Sequence, residues 1–64
     1  MKEQVEIVMA TYNGEKYIKG QLDSLLSQSY PDLLVDVCDD GSTDDTVSIV
    51  KEYEKKDSRV RLFE

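Results

Sequence analysis

In LLVDVCDDGSTDDTVSIVKEY (residues 33–53), a mostly apolar run gives way to a polar loop, and then to apolar residues spaced for a helix. Leu33–Cys38 is too short for a helix and rich in valine and leucine, so it reads as a strand. Asp39–Thr43 is the loop after it, and Gly41 supplies the conformational freedom of a tight turn. Beyond the loop, Val47, Val50 and Tyr53, with Ile49, fall on one helical face. The spacing predicts a helix over about Asp44–Lys55. Ser42 or Thr43 is its expected N-cap, and Asp44 and Asp45 fall in its first turn against the positive end of the dipole. Lys51, Lys55 and Lys56 gather toward its other end, where cations are favoured.

The same signals extend both ways. Upstream, Val5–Ala10 (VEIVMA) reads as a strand buried on both faces. Thr11–Gly14 (TYNG) is turn chemistry. From Glu15 to about Ser29, Ile18, Leu22, Leu25 and Leu26 mark a second helical face. Gly20 inside it costs about 1 kcal/mol relative to alanine. Tyr30-Pro31-Asp32 is the expected stop, because proline disfavours helical geometry in the residue before it. Downstream, Val60–Phe63 (VRLF) is a third strand. The order β-α-β-α-β implies an α/β fold with a three-stranded parallel sheet and both helices on one face. Parallel sheets are normally covered on both faces. The chain therefore reads as a single partial domain, or as a small unit that forms a homodimer through its bare face.

Composition narrows the classes. Chains of 64 residues bury only about 60% of their unfolded surface and are marginal without a staple. Cys38 is the sole cysteine and there is no histidine, so neither a disulfide within the chain nor a zinc cluster is expected. A reduced, cytoplasmic setting fits that usage. No run approaches the roughly 20 apolar residues of a membrane span. The net charge of −6 argues against a nucleic-acid module, which needs a basic face.

In an open parallel sheet, ligands bind beyond the carboxyl ends of the strands. Ala10, Thr11, Tyr12, Asn13 and Gly14 follow the first strand; Asp39, Asp40, Gly41 and Ser42 follow the second. Neighbouring strands lie about 5 Å apart, so Tyr12 and the acid pair can face one pocket. A ring beside a carboxylate suits a planar base: the ring stacks and the carboxylate accepts a ring N–H. Each residue also has a plainer role. Ser42, Thr43, Asp44 and Asp45 suit helix capping; Asn13-Gly14 suits a turn; Tyr17, Tyr30 and Tyr53 suit packing. Two acids at a strand end have no structural need to be acidic. Other chemistries fail on spacing. DDGSTDDTVSIV lacks the alternating acids and terminal Glu of a calcium loop. There is no Gly-Lys pair for a Walker loop, and no G-x-G-x-x-G after the first strand. A magnesium site of the receiver-domain kind usually has its acid pair after the first strand.

TYNGEKYI, SLLSQSYPD and DDGSTDDT, at their separation here, make the chain resemble the N-terminus of the family 2 inverting glycosyltransferases of GT-A (Rossmann-like) fold, most closely bacterial enzymes that add rhamnose or related sugars to cell-surface polysaccharides. The resemblance covers essentially the whole chain. It implies a UDP- or dTDP-sugar as partner. Tyr12 would stack on the pyrimidine and Asp40 would accept its ring N–H. Ala10 and Thr11 would approach the nucleotide, and Asp39 would shape the same loop. It also implies Mg²⁺ or Mn²⁺ on the diphosphate of the parent enzyme, held by an Asp-x-Asp motif beyond the third strand, and a general base there too. This segment is expected to hold neither, and so to bind nucleotide without catalysing. The parent is expected in the cytoplasm or at the inner face of the membrane.

Three positions depart from the family's pattern. Asp36 stands where Ile or Val is common, Leu34 where a polar residue is common, and Gly20 where a helix former is common. Alternation puts Leu34, Asp36 and Cys38 on one face of the second strand and Leu33, Val35 and Val37 on the other. With helices over the second set, Asp36 is expected on the bare face, in water.

Overall fold

Three strands and two helices alternate in the computed structural model, which describes residues 4–28 and 32–64. They are β1 (Val5–Thr11), α1 (Ile18–Leu26), β2 (Leu33–Asp39), α2 (Thr46–Lys56) and β3 (Val60–Phe63). The strands are parallel in the order β1-β2-β3, with Ile7 opposite Val35 and Val35 opposite Val60. The expected α/β architecture is present.

Period-two alternation sorts the sheet. Leu33, Val35, Val37 and Val60 are buried against Ile18 and Leu22 of α1 and Val50 of α2, with Ile7, Met9 and Leu62 packed at the margins. Both helices thus lie on one face. Burying side chains of this size stabilises by about 1.5–3 kcal/mol each.

Several expectations change in detail. β1 is not buried on both faces: its exposure alternates, and Val8 is 68% exposed. Among the described residues, one flank of β1 has no strand beside it and the second face carries no helix. α1 begins at Ile18, not Glu15, because the Gly14 carbonyl accepts the N–H groups of Tyr17 (3.0 Å) and Ile18 (2.9 Å) in a preceding turn. It ends at Leu26, with Ser27 at the C-cap, earlier than the expected Ser29; Ser29, Tyr30 and Pro31, part of the expected stop, lie outside the described residues. α2 begins at Thr46 rather than Asp44, with Asp45 at the N-cap position and no side-chain bond from it. At its far end Lys55 and Lys56 occupy the last turn as expected. Asp57 then turns the chain into β3 by accepting Arg59 Nε (2.9 Å) and Nη2 (2.7 Å). Arg59 thereby holds the Asp57 carboxyl below the usual carboxylate range.

The bare face carries Glu6, Val8 and Ala10 from β1, Leu34, Asp36 and Cys38 from β2, and Arg61 and Phe63 from β3. Asp36 does point to this face, but it is not in water. It is 7% exposed, because Arg61 on the adjacent strand lies over it and donates from Nε (2.7 Å) and Nη2 (3.1 Å). Arg61 also reaches Glu6 at 3.1 Å. The paired guanidinium holds the Asp36 carboxyl low, while the hydrogen bond and charge of Asp36 push Glu6 up.

Candidate functional site

The loops after β1 and β2 meet at the carboxyl edge of the sheet, and polar side chains tie them together. The first is Asp39. Its Oδ1 accepts the hydroxyls of Thr11 (2.7 Å) and Ser42 (2.6 Å), and its Oδ2 accepts the Ser42 N–H (2.9 Å). These donors, the Ser42 hydroxyl foremost, hold its carboxyl below the usual range. A carboxylate fed by several donors favours its charged form.

Asn13 is the second. Its backbone takes the left-handed conformation (φ 50°) that asparagine tolerates. Its N–H donates to Ser42 Oγ (2.8 Å), and its Oδ1 accepts the Thr43 N–H (2.8 Å). Gly41, at φ 79°, makes the complementary turn in the other loop.

Thr46 and Asp44 form the third and fourth ties. Thr46 is fully buried. Its Oγ1 accepts the Gly14 N–H (2.8 Å) and donates to Asp44 Oδ1. Asp44 also accepts the N–H groups of Thr46 (3.0 Å) and Glu15 (3.2 Å). Burial opposes its charge, but these donors still hold the Asp44 carboxyl low. Asp44 therefore serves the start of α2 from just outside it. Ser42 and Thr43, the expected caps, are instead spent on Asp39 and Asn13.

Among the candidate residues, Thr11 is buried (2% exposed) and its carbonyl accepts the Asp40 N–H at 2.9 Å. Ala10 is exposed on the bare face, opposite Cys38. Tyr12 is 60% exposed and Asp40 is exposed; each directly follows the last paired residues of the two strands, Thr11 and Asp39. Among the described residues, no hydrogen bond within the chain engages the Tyr12 hydroxyl or the Asp40 carboxylate. Asp39, by contrast, turns inward. Asn13, Ser42 and Thr46 were not singled out from the sequence as loop ties. The only signal for them was their capacity for turns and caps.

Two concave surfaces lie elsewhere. A groove of about 500 Å³ between the helices is lined by Lys19, Asp23, Ile49, Glu52, Tyr53 and Lys56. There burial and the hydrogen bond to Asp23 (2.5 Å) push the Tyr53 hydroxyl up to about 12. A shallower one beside β1 is lined by Met9, Tyr17, Gly20 and Leu25, among others. In the first the Tyr53 ring is half-buried and its hydroxyl is taken by Asp23, and no carboxylate lines the second. Among the described residues no three Asp, Glu, Cys or His side chains converge as a cation site, and Asp39 already serves three donors.

Comparison with known proteins agrees with the loop pattern. The model of glycosyl transferase family 2 matches residues 6–64. A chondroitin synthase of Escherichia coli is 47% identical over 59 residues, covering 92% of this chain and 9% of that protein. A UDP-Glc:alpha-D-GlcNAc-diphosphoundecaprenol beta-1,3-glucosyltransferase, WfaP, of Escherichia coli is 43% identical over 58 residues, covering 91% and 22%. A putative teichuronic acid biosynthesis glycosyltransferase, TuaG, of Bacillus subtilis is 38% identical over 61 residues, covering 95% and 24%. The chain spans from 9% to 24% of the length of these three relatives. With nearly every residue from β1 to β3 inside the matched region, the chain belongs to glycosyl transferase family 2.

Proposed function

We propose that this chain is the nucleotide-binding segment of a glycosyltransferase that takes a UDP- or dTDP-sugar and delivers the sugar to a cell-surface glycan acceptor. Tyr12 stacks on the pyrimidine, and Asp40 accepts the ring N–H. Thr11 and Ala10 form the backbone that the nucleoside passes, and Asp39 orders the loop. One observation carries the reading. Around a densely bonded pair of loops, the Tyr12 ring and the Asp40 carboxylate stand exposed and unspent at the ends of adjacent strands. The family and the named activities of the relatives support the class of reaction. The parent enzyme works with Mg²⁺ or Mn²⁺ and in the cytoplasm or at the inner face of a membrane, on this reading. No step of base recognition runs through the metal, and no described helix is long and apolar enough to cross a membrane.

The test is an amide-shift titration of the chain with UDP, dTDP and a UDP methylated at the ring N–H. UDP and dTDP should move the Tyr12 and Asp40 amides. Tyr12→Ala should weaken binding about tenfold, in line with a stacking contribution of about 1–3 kcal/mol per base. The methylated analogue should bind the wild type poorly and gain nothing from Asp40. Shifts confined to the groove between the helices would overturn the assignment.

A second reading rests on the bare face, where Val8 and Phe63 (49% exposed) leave apolar surface uncovered. A homodimer through that face would melt at a temperature that rises with protein concentration. Concentration-independent melting would dismiss it.

A further inference from the structure

Tyr12 lies between two anchored residues, and both anchors lead to one carboxylate. Thr11 is held from its side chain, Oγ1 to Asp39 Oδ1 at 2.7 Å. Asn13 is held from its backbone, through an N–H on Ser42 Oγ at 2.8 Å, while that same hydroxyl donates to Asp39 Oδ1 at 2.6 Å. Asp40 is fixed by the same frame: it follows Asp39 directly, and its N–H sits on the Thr11 carbonyl at 2.9 Å. The ring and the carboxylate proposed to read the base are therefore set relative to each other by a relay from Thr11 through Asp39 and Ser42 to Asn13.

We propose that Asp39 and Ser42 are positioning residues for pyrimidine-nucleotide recognition: they touch no ligand and fix the spacing between Tyr12 and Asp40. The inference rests on the nucleotide-binding reading above. Removing the Asp39 carboxylate frees three donors in two loops at once, so Tyr12 and Asp40 lose their common reference. Asparagine is the conservative replacement. With its carbonyl oxygen toward the Ser42 N–H, its amide can donate to the hydroxyls of Thr11 and Ser42, which rotate to accept. Alanine offers nothing. Ser42→Ala leaves Asp39 in place but cuts the link to Asn13. Ser42→Thr keeps the hydroxyl.

Two measurements on the 64-residue chain test this. The first needs no ligand: amide hydrogen exchange in Asp39→Ala and Ser42→Ala. Exchange should quicken at Asn13 in both, and also at Asp40 in Asp39→Ala, while Ile7, Val35 and Val37 keep their protection. The second is UDP titration. Asp39→Ala and Ser42→Ala should bind about tenfold or more weakly, since a positional error of about 1 Å is expensive in oriented sites. Asp39→Asn and Ser42→Thr should recover to within about threefold of wild type, which a general loss of stability would not produce. Wild-type affinity in Asp39→Ala, or unchanged exchange at Asn13, overturns the inference. So does weakening in Asp39→Asn equal to that in Asp39→Ala. If core amides also open in Asp39→Ala, Ser42→Ala against Ser42→Thr decides by the same criteria. A wild-type chain whose Tyr12 and Asp40 amides ignore UDP overturns the nucleotide reading itself, and is recognised from that arm alone.

Discussion

Replacing Thr46 by valine should destabilise the chain by about 1–2 kcal/mol while leaving its shape intact. The side chain is fully buried, and valine keeps its outline but removes the oxygen. Two bonds go with it. The Gly14 N–H, buried and 2.8 Å from Thr46 Oγ1, is left without an acceptor. An orphaned buried donor costs about 1–3 kcal/mol. Asp44 loses the hydroxyl but keeps the N–H groups of Thr46 and Glu15, so its loss is small. The added methyl offsets about 0.8 kcal/mol if it packs. The net falls in about 1–2 kcal/mol, which in a domain of this size lowers the melting temperature by about 4–16 °C. Thermal unfolding gives the magnitude, and exchange at the Gly14 amide gives the cause. Thr46→Ser is the control: it forfeits a buried methyl, yet keeps the Gly14 amide protected. A Thr46→Val chain that melts like wild type, or whose Gly14 amide stays as slow, would refute the assignment of Thr46 as the inter-loop tie.

Other consequences are as direct. Gly20 sits inside α1 with no heavy atom within 4 Å of where a Cβ would stand, so Gly20→Ala should stabilise by about 0.5–1 kcal/mol; a lowered melting temperature would contradict it. Acid should destabilise the fold. Asp36, Asp39, Asp44 and Asp57 have folded values below their ordinary 3.8, so their contribution is present above that pH and is lost as pH falls through the folded values. Glu6 runs the other way: raised above 4.5, it contributes below that pH and loses its contribution as pH rises through the folded value. With four carboxyls against one, the urea midpoint should be lower at about pH 3 than at about pH 5; a rise on acidification would be decisive against these bonds. Arg61→Met removes the donor that chiefly holds Asp36 low, so carboxyl NMR should find Asp36 titrating at higher pH in the variant. An unmoved titration would mean Arg61 does not hold it.

The architecture was legible because it depends on local period. Leu33, Val35 and Val37 against Leu34, Asp36 and Cys38 is a division that any parallel sheet with helices on one face must honour. Ile18, Leu22 and Val50 fell on the buried stripes for the same reason. What local pattern could not give was who meets whom across the chain. Asp36 and Arg61 are 25 residues apart, and only the β2–β3 register makes them neighbours. The caps show the same limit. Ser42 and Thr43 have the right chemistry to cap α2, but Asp39 and Asn13 claim them, so the helix starts later. By residue chemistry alone Asp39 and Asp40 looked alike, and only the family resemblance gave them different roles. The bonds supply a physical difference: one carboxylate has three donors and the other, among the described residues, none.

That difference bears on how so small a chain could carry the proposed base-binding edge. Exposed loops pay for order with backbone entropy, about 1–2 kcal/mol per fixed residue, and this chain has no disulfide to offset it. The two loops instead bond to each other. Thr46 and Asp44 secure the side next to the helices, at Gly14 and Glu15. Asp39, Ser42 and Asn13 secure the side next to Tyr12 and Asp40. Because the ties are donors and acceptors within the chain, they leave the ring and one carboxylate free at the rim. On the proposed reading, a base would then meet groups whose backbone is already fixed, so less ordering would remain to oppose binding. The Asp36–Arg61 pair lies on the bare face of the sheet, outside this network. Weakening it should therefore change stability without changing the spacing of Tyr12 and Asp40, whereas weakening Asp39 should change that spacing.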